Sequence, residues 1–314
     1  MPAFDLYATL HVFRTSDRQH IIMMTRRHLA MAFALSIVFG VGWVFGKTAT
    51  THFPPVFVAM LRFGIAGITI ISVCGWPTVP PRHLLFASAC AISIPYSLSY
   101  AGLSRLDVSV TVLLIQLEAP ILITLSAIWL REFPSRMCAI GVAIAVGGVV
   151  FVAGQPSAEG NSAGIAIVIA SMVVWAIGQI QVRRLGLVDG GIKLLGALSI
   201  FAAPQLFVLS LIFEQDHIST ITQAPIVAWL QIGYLGLVMT VLGIGTWYYL
   251  VARYPLHLVA PFLLLVPVCS VAGGVVFLSE VLTSSTIFGG VLIMIGVAVA
   301  TIKLPRWSRK TNAD

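Results

Sequence analysis

Charge is what this sequence has least of. Only 9% of its 314 residues are Asp, Glu, Lys or Arg, where a soluble domain carries roughly 25%. With 59% hydrophobic residues and a mean hydropathy of +1.00, the chain cannot keep its surface wet, which excludes an ordinary soluble enzyme. Acidic residues are the scarcer sign, 11 against 18 basic ones, for a formal charge of +7. In a soluble protein that excess would suggest nucleic acid. Here the basic residues sit at the ends of apolar runs and read as topology signals instead.

Other absences narrow the field. No Gly-x-x-x-x-Gly-Lys-Ser/Thr phosphate loop occurs, so ATP is not expected to drive the protein. The four cysteines, Cys74, Cys90, Cys138 and Cys269, show no paired spacing and no accompanying histidine cluster. They read as packing residues, and neither a metal nor any other cofactor is expected. His52, His83, His217 and His257 fall where apolar runs end. Nothing before Leu29 has the apolar core of a cleavable signal. Residues 1–27 read as a cytoplasmic tail, and a start at Met24, before Thr25-Arg26-Arg27, fits as well.

What is present is a series of long apolar runs. A spanning helix needs about 20 residues to cross a core about 30 Å thick. Ten segments qualify: 29–47, 55–74, 83–103, 108–130, 136–153, 163–182, 191–213, 226–250, 256–278 and 284–302. The fold class expected is an all-α integral membrane protein. With the amino terminus inside, fifteen of the 18 basic residues lie on the cytoplasmic side, Lys47 and Arg105 lie outside, and Arg62 lies within a span. That bias puts both termini in the cytoplasm.

The second half repeats the first. The fourth and fifth spans contain Pro120, Leu130-Arg131-Glu132, Gly141 and Gly148; the ninth and tenth contain Pro267, Leu278-Ser279-Glu280, Gly289 and Gly296. Glutamate-to-glycine and glycine-to-glycine spacings agree between the copies. Trp43-Val44-Phe45-Gly46 in the first span answers Trp175-Ala176-Ile177-Gly178 in the sixth. The expected repeats are residues 28–155 and 162–303, followed by a tail at 304–314. Five spans is an odd number, so the second copy enters from the opposite side. Such inverted repeats place a substrate near the midplane and suit alternating access. The four glycines also suit close helix contact, as a packed scaffold or a homodimer face.

From about residue 28 to 303 the chain resembles the drug/metabolite transporter superfamily with two EamA-type repeats. The residues that carry the resemblance are Pro54-Pro55 followed by Leu61-Arg62-Phe63, Trp175-Ala176-Ile177-Gly178, Gly243-Ile244-Gly245-Thr246-Trp247, Arg253-Tyr254, Ala260-Pro261, Leu264-Leu265-Val266-Pro267-Val268 and Gly290 through Gly296. Within that superfamily it looks most like bacterial inner-membrane exporters of amino acids and their metabolites, of the O-acetylserine/cysteine exporter kind. The resemblance implies gradient-driven export through a central cavity. One position departs from it: residue 118 is Glu, where those relatives are expected to carry a neutral polar residue such as Gln.

Two ionisable residues, Arg62 and Glu118, stand inside spans, where a charge marks function or pairing. They could pair with each other. They could instead hold the two ends of a zwitterion, or Glu118 could carry protons and couple export to proton influx. Gln116 is rotated from Glu118 by about 200° and cannot share its cavity. Trp43 with Lys47, Tyr96 with Tyr100, and Trp175 with Gln179 are i, i+4 pairs, each on one helix face, and Trp247 adds a further aromatic. The candidate substrate residues are therefore Trp43, Arg62, Tyr96, Tyr100, Glu118, Trp175, Gln179 and Trp247, with packing as the other reading for the aromatics. Glu132 and Glu280 are expected to anchor span ends at the interface. Efflux of hydrophobic or cationic drugs is the rival substrate class. A membrane-embedded enzyme is the rival function, but no clustered nucleophile and base supports it.

Overall fold

The computed structural model describes residues 24–130, 136–153, 162–185, 191–254 and 256–301. Every regular element among them is helical. Helix α1 (Arg26–Ala49) starts on Thr25, whose side chain accepts a hydrogen bond from the His28 amide. Pro55 and Pro81 open α2 (Pro55–Cys74) and α3 (Pro81–Arg105), where a missing N–H has no cost. After α2 the chain turns at Gly75, whose φ of 80° suits a residue without a Cβ.

Then α4 runs in two pieces, Val108–Ile115 and Glu118–Leu130. Regular helices α5 (Arg136–Ala153), α6 (Ser162–Leu185) and α7 (Gly191–Phe213) follow. Helix α8 (Ile226–Val251) has a π-helical centre at Tyr234–Ile244. Helix α9 begins as one turn at Leu256–Val259, tightens to 3-10 at Ala260–Leu264 and is regular over Leu265–Leu278. The last is α10 (Ser284–Thr301).

Six of the predicted spans, α1, α2, α3, α6, α7 and α8, are helices of 20 to 26 residues, apolar enough to cross a bilayer. The other four appear as shorter apolar helices, Val108–Leu122, Arg136–Val152, Phe262–Leu278 and Ser284–Ala300. Proline interrupts the regular helix in two of them. Pro120 has no N–H for the Gln116 carbonyl and its ring crowds that group, so α4 breaks at 116–117. Pro267 stands in the same relation to Leu263, inside the 3-10 turn of α9. Pro95 likewise follows a π-helical stretch in α3, Ala89–Ser93, that contains its would-be partner Ala91.

Packing divides the helices into groups. Helix α1 lies against α8 and α9, and α6 lies against α3 and α4. The pair α2–α7 lies against both α3 and α8 and so joins the two groups, and the pair α5–α10 lies against α4. Backbones touch in the α5–α10 pair. A Cβ on Gly141 would stand 2.3 Å from the Ala300 nitrogen, and one on Gly148 would stand 2.6 Å from the Gly289 oxygen. The four repeat glycines are thus used inside the chain as a scaffold. Large apolar side chains such as Phe33, Ile68, Val150 and Phe213 point outward, as a bilayer-facing surface requires.

Candidate functional site

At one end of the molecule α2, α3, α6, α7 and α8 part around a cavity of about 210 Å³, lined by Phe63, Tyr96, Trp175, Gln179, Leu195 and Tyr248 among others. Trp175 and Gln179 reach it from one face of α6, one turn apart, as their spacing predicts. The wall is mostly apolar, with a few convergent polar groups, which is the usual character of a small-molecule site.

Behind the Tyr96 wall lies Arg62, 3% exposed. Its Nε donates to Thr240 Oγ1 at 2.9 Å and one terminal nitrogen donates to the Tyr100 hydroxyl at 3.2 Å. The guanidinium carbon stands 5.1 Å from the Phe63 ring centre and 5.2 Å from that of Tyr96, a distance at which a desolvated cation is attracted to the ring faces. The two rings meet edge to face with centroids 4.6 Å apart. Arg62 is therefore a buried cation held by hydroxyls from α3 and α8 and by π-faces from α2 and α3. Thr240 lies in the π-helical centre of α8, and its hydroxyl donates to the carbonyl of Leu235, five residues back.

Glu118 opens the second piece of α4, directly after the break. Protein surrounds most of it, and it keeps some surface of its own. Among the described residues no hydrogen bond or ion pair reaches its carboxylate. Of the alternatives for these two residues, a mutual ion pair does not form there; Arg62 is engaged by Tyr100 and Thr240. Tyr96 lies within electrostatic reach of both charges. Gln116 turns to the opposite side, toward the Met294 sulfur at 3.8 Å.

The remaining candidates lie elsewhere. Trp43 packs between the two larger apolar clusters. Tyr100 is 1% exposed and reaches the site only through Arg62. Trp247 packs against the cluster of Ala32, Leu250 and Val259, and its neighbour Tyr248 supplies the cavity wall. Arg131 to Pro134, including Glu132, lie outside the described residues.

Three polar groups went unnoticed in the sequence. Thr240 is one. Ser93 and Gln205 are the others: the Ser93 hydroxyl donates to the Gln205 carbonyl at 2.6 Å, and the Gln205 amide donates to the Leu85 carbonyl at 2.9 Å, tying α7 to the π-helical part of α3. Both Ser93 and Thr240 lie in π-helical stretches, and no periodicity in the sequence announces those.

A model of the EamA-like transporter family matches residues 27–154 and 162–302. A probable amino-acid metabolite efflux pump of Salmonella typhimurium is 29% identical over 287 residues, covering 88% of this chain and 95% of that protein. The protein of the same description from Escherichia coli is 27% identical, covering 91% and 98%. A solved crystal structure superposes with a TM-score of 0.59 at 19% identity, covering 87% of this chain and 96% of that one. It shows a shared fold.

Proposed function

The chain belongs to the EamA-like transporter family, and from that premise we propose that it exports amino acids or closely related metabolites by alternating access. Its role as a multi-pass membrane transporter follows from the family, its curated relatives and its apolar helices. The cavity carries the finer reading. At about 210 Å³ it falls below the roughly 300–1,000 Å³ of pockets for drug-sized ligands. That favours a small metabolite over a hydrophobic drug. The names of the two pumps point the same way.

In this reading ten spans form two inverted repeats, residues 28–155 and 162–303, in a bacterial inner membrane with both termini cytoplasmic. The packing supports it. Exchanging α1 with α6, α3 with α8 and α4 with α9 carries one helix group onto the other, and each of the pairs α2–α7 and α5–α10 onto itself. The matched breaks at Pro120 and Pro267 support it too, because discontinuous helices at corresponding positions mark transporter sites.

Tyr96, Trp175 and Gln179 are the proposed walls for the substrate. Arg62 lends positive potential from behind Tyr96, held by Tyr100. Trp43 and Trp247 support the helices that frame the site. Glu118, with no partner among the described residues, is the proposed ligand for an ammonium group or the carrier of a coupled proton.

Counterflow of labelled amino acids in proteoliposomes, with and without a pH gradient, tests this. Exchange of at least one small amino acid is expected. Activity on a cationic dye with no exchange of any amino acid would overturn the substrate class. Glu118→Gln is expected to remove dependence on the pH gradient while leaving the fold intact; full retention of that dependence excludes Glu118 as the proton carrier.

A further inference from the structure

At the end of the molecule opposite the cavity, charges grip helix ends. Lys47, near the end of α1, donates to the carbonyls of Leu103 at 2.8 Å, Ser104 at 3.1 Å and Leu106 at 2.8 Å. These are the last carbonyls of α3 and the turn after it. They have no partner within the helix and carry the negative end of its dipole. Two residues on, the sign reverses. Glu280, in the turn after α9, accepts from the Val108 amide at 2.6 Å, from the Ser109 amide at 3.1 Å and from the Ser109 hydroxyl. Those amides open α4, where the dipole is positive. Ser279, left-handed at φ 56°, ends α9 ahead of Glu280.

The placement of these contacts sets them apart. Lys47 and Glu280 come from α1 and α9, in one helix group, and the turn they hold joins α3 to α4, in the other. The contact is backed by close packing: a Cβ on Gly46 of α1 would lie 3.4 Å from side-chain atoms of both Tyr100 and Leu103. The first piece of α4 also lies against the regular part of α9. Glu214 forms a similar cap at the same end, accepting from the Val56 amide at 2.7 Å and the Phe57 amide at 3.1 Å. It joins α7 to α2, which already pack together. Of these caps among the described residues, those of Lys47 and Glu280 straddle the two groups, which part around the cavity at the far end.

We propose that Lys47 and Glu280 form the latch that shuts the transport path at this end, gripping the α3–α4 turn while the opposite end stands open. They act on the substrate path through that turn and are positioning residues. The latch assigns Glu280 a role other than interfacial anchoring, and it gives Lys47 a role apart from the helix face it shares with Trp43. It rests on the alternating-access reading: release of the latch is the step that opens this side.

The test needs no substrate, so it can fail while export stands, and export can fail while it stands. In a background with the four native cysteines replaced by alanine, Leu195→Cys reports on the open cavity and Leu103→Cys on the latched end. Alkylation of purified protein by a soluble maleimide should label Leu195→Cys quickly and Leu103→Cys slowly. With Lys47→Met or Glu280→Gln the Leu103→Cys rate should rise roughly tenfold, a population shift of about 1.4 kcal/mol, while the Leu195→Cys rate falls. Lys47→Arg, which keeps charged donors, should restore the parent pattern. Unchanged rates at both positions, or a rise at both together, overturns the latch, since the first means no gating and the second means general loosening.

Discussion

Helices α5 and α10 touch backbone to backbone, whereas α3, α4, α8 and α9 are irregular around the cavity and the latch. The contrast shows how the fold divides its work. In a bilayer, apolar side chains gain little by leaving lipid, so helices associate through close packing, and small residues permit it. Gly141, Gly148, Gly289 and Gly296 bring two regular helices to van der Waals contact of their backbones. Around the site the opposite device is used. Proline and π-helical turns leave carbonyls and hydroxyls off the regular ladder, where Thr240 meets Arg62 and Ser93 meets Gln205. Regularity serves the scaffold and irregularity serves the cavity.

The hardest blow to that contrast is Gly148→Leu. Even the first added carbon lies 2.6 Å from the Gly289 oxygen and 2.7 Å from the Ile293 nitrogen, so the helices must separate along their length. A loss on the order of 4 kcal/mol or more is expected, the range reserved for severe core disruption. The measurement is the thermal midpoint of the protein in detergent. A midpoint within a few degrees of the parent would show that the α5–α10 contact is dispensable.

Much of this scaffold could be read from residues alone. Each of the ten apolar runs coincides with helix to within a few residues, six of them long enough to span, while the short helix His217–Gln223 lies between runs and was not read. Pro120 and Pro267, matched in the repeat, stand beside the two interruptions, and the paired glycines marked the tightest contact. The site was harder to see. Trp175 with Gln179 was legible, because both lie on one helical face and nothing else claims them. Arg62 was found, but its partner was not: Thr240 is 178 residues away, in a π-helical stretch with no proline to announce it. Glu280 looked like a span end, because a glutamate that caps a helix 171 or 172 residues earlier leaves no local signature. Long-range pairing of this kind depends on which turns the fold brings together.

A smaller perturbation than Gly148→Leu sharpens the other side of the contrast. Pro120→Ala returns an N–H to the Gln116 carbonyl and removes the ring that crowds it. The change should leave stability equal to the parent or raise it by about 1 kcal/mol, because a proline inside a helix is far less favourable than alanine. Counterflow should nonetheless fall several-fold, since a continuous α4 would reposition Glu118 and stiffen the segment that carries it. Unchanged transport with raised stability would make the break incidental.

The smallest expected effects separate wall from frame within α8. Tyr248 lines the cavity and Trp247, one residue earlier, packs against Ala32, Leu250 and Val259. Tyr248→Phe removes one hydroxyl at the wall and should change the apparent affinity for substrate in counterflow by a few-fold, with the thermal midpoint unmoved. Trp247→Phe removes packing area away from the cavity and should lower the midpoint slightly, with affinity unmoved. Both residues are half-buried aromatics on one helix turn, so composition and depth cannot distinguish them. Only the direction in which each side chain leaves the helix does, and a reversal of the two outcomes would move the wall of the site to the α1–α9 side of α8.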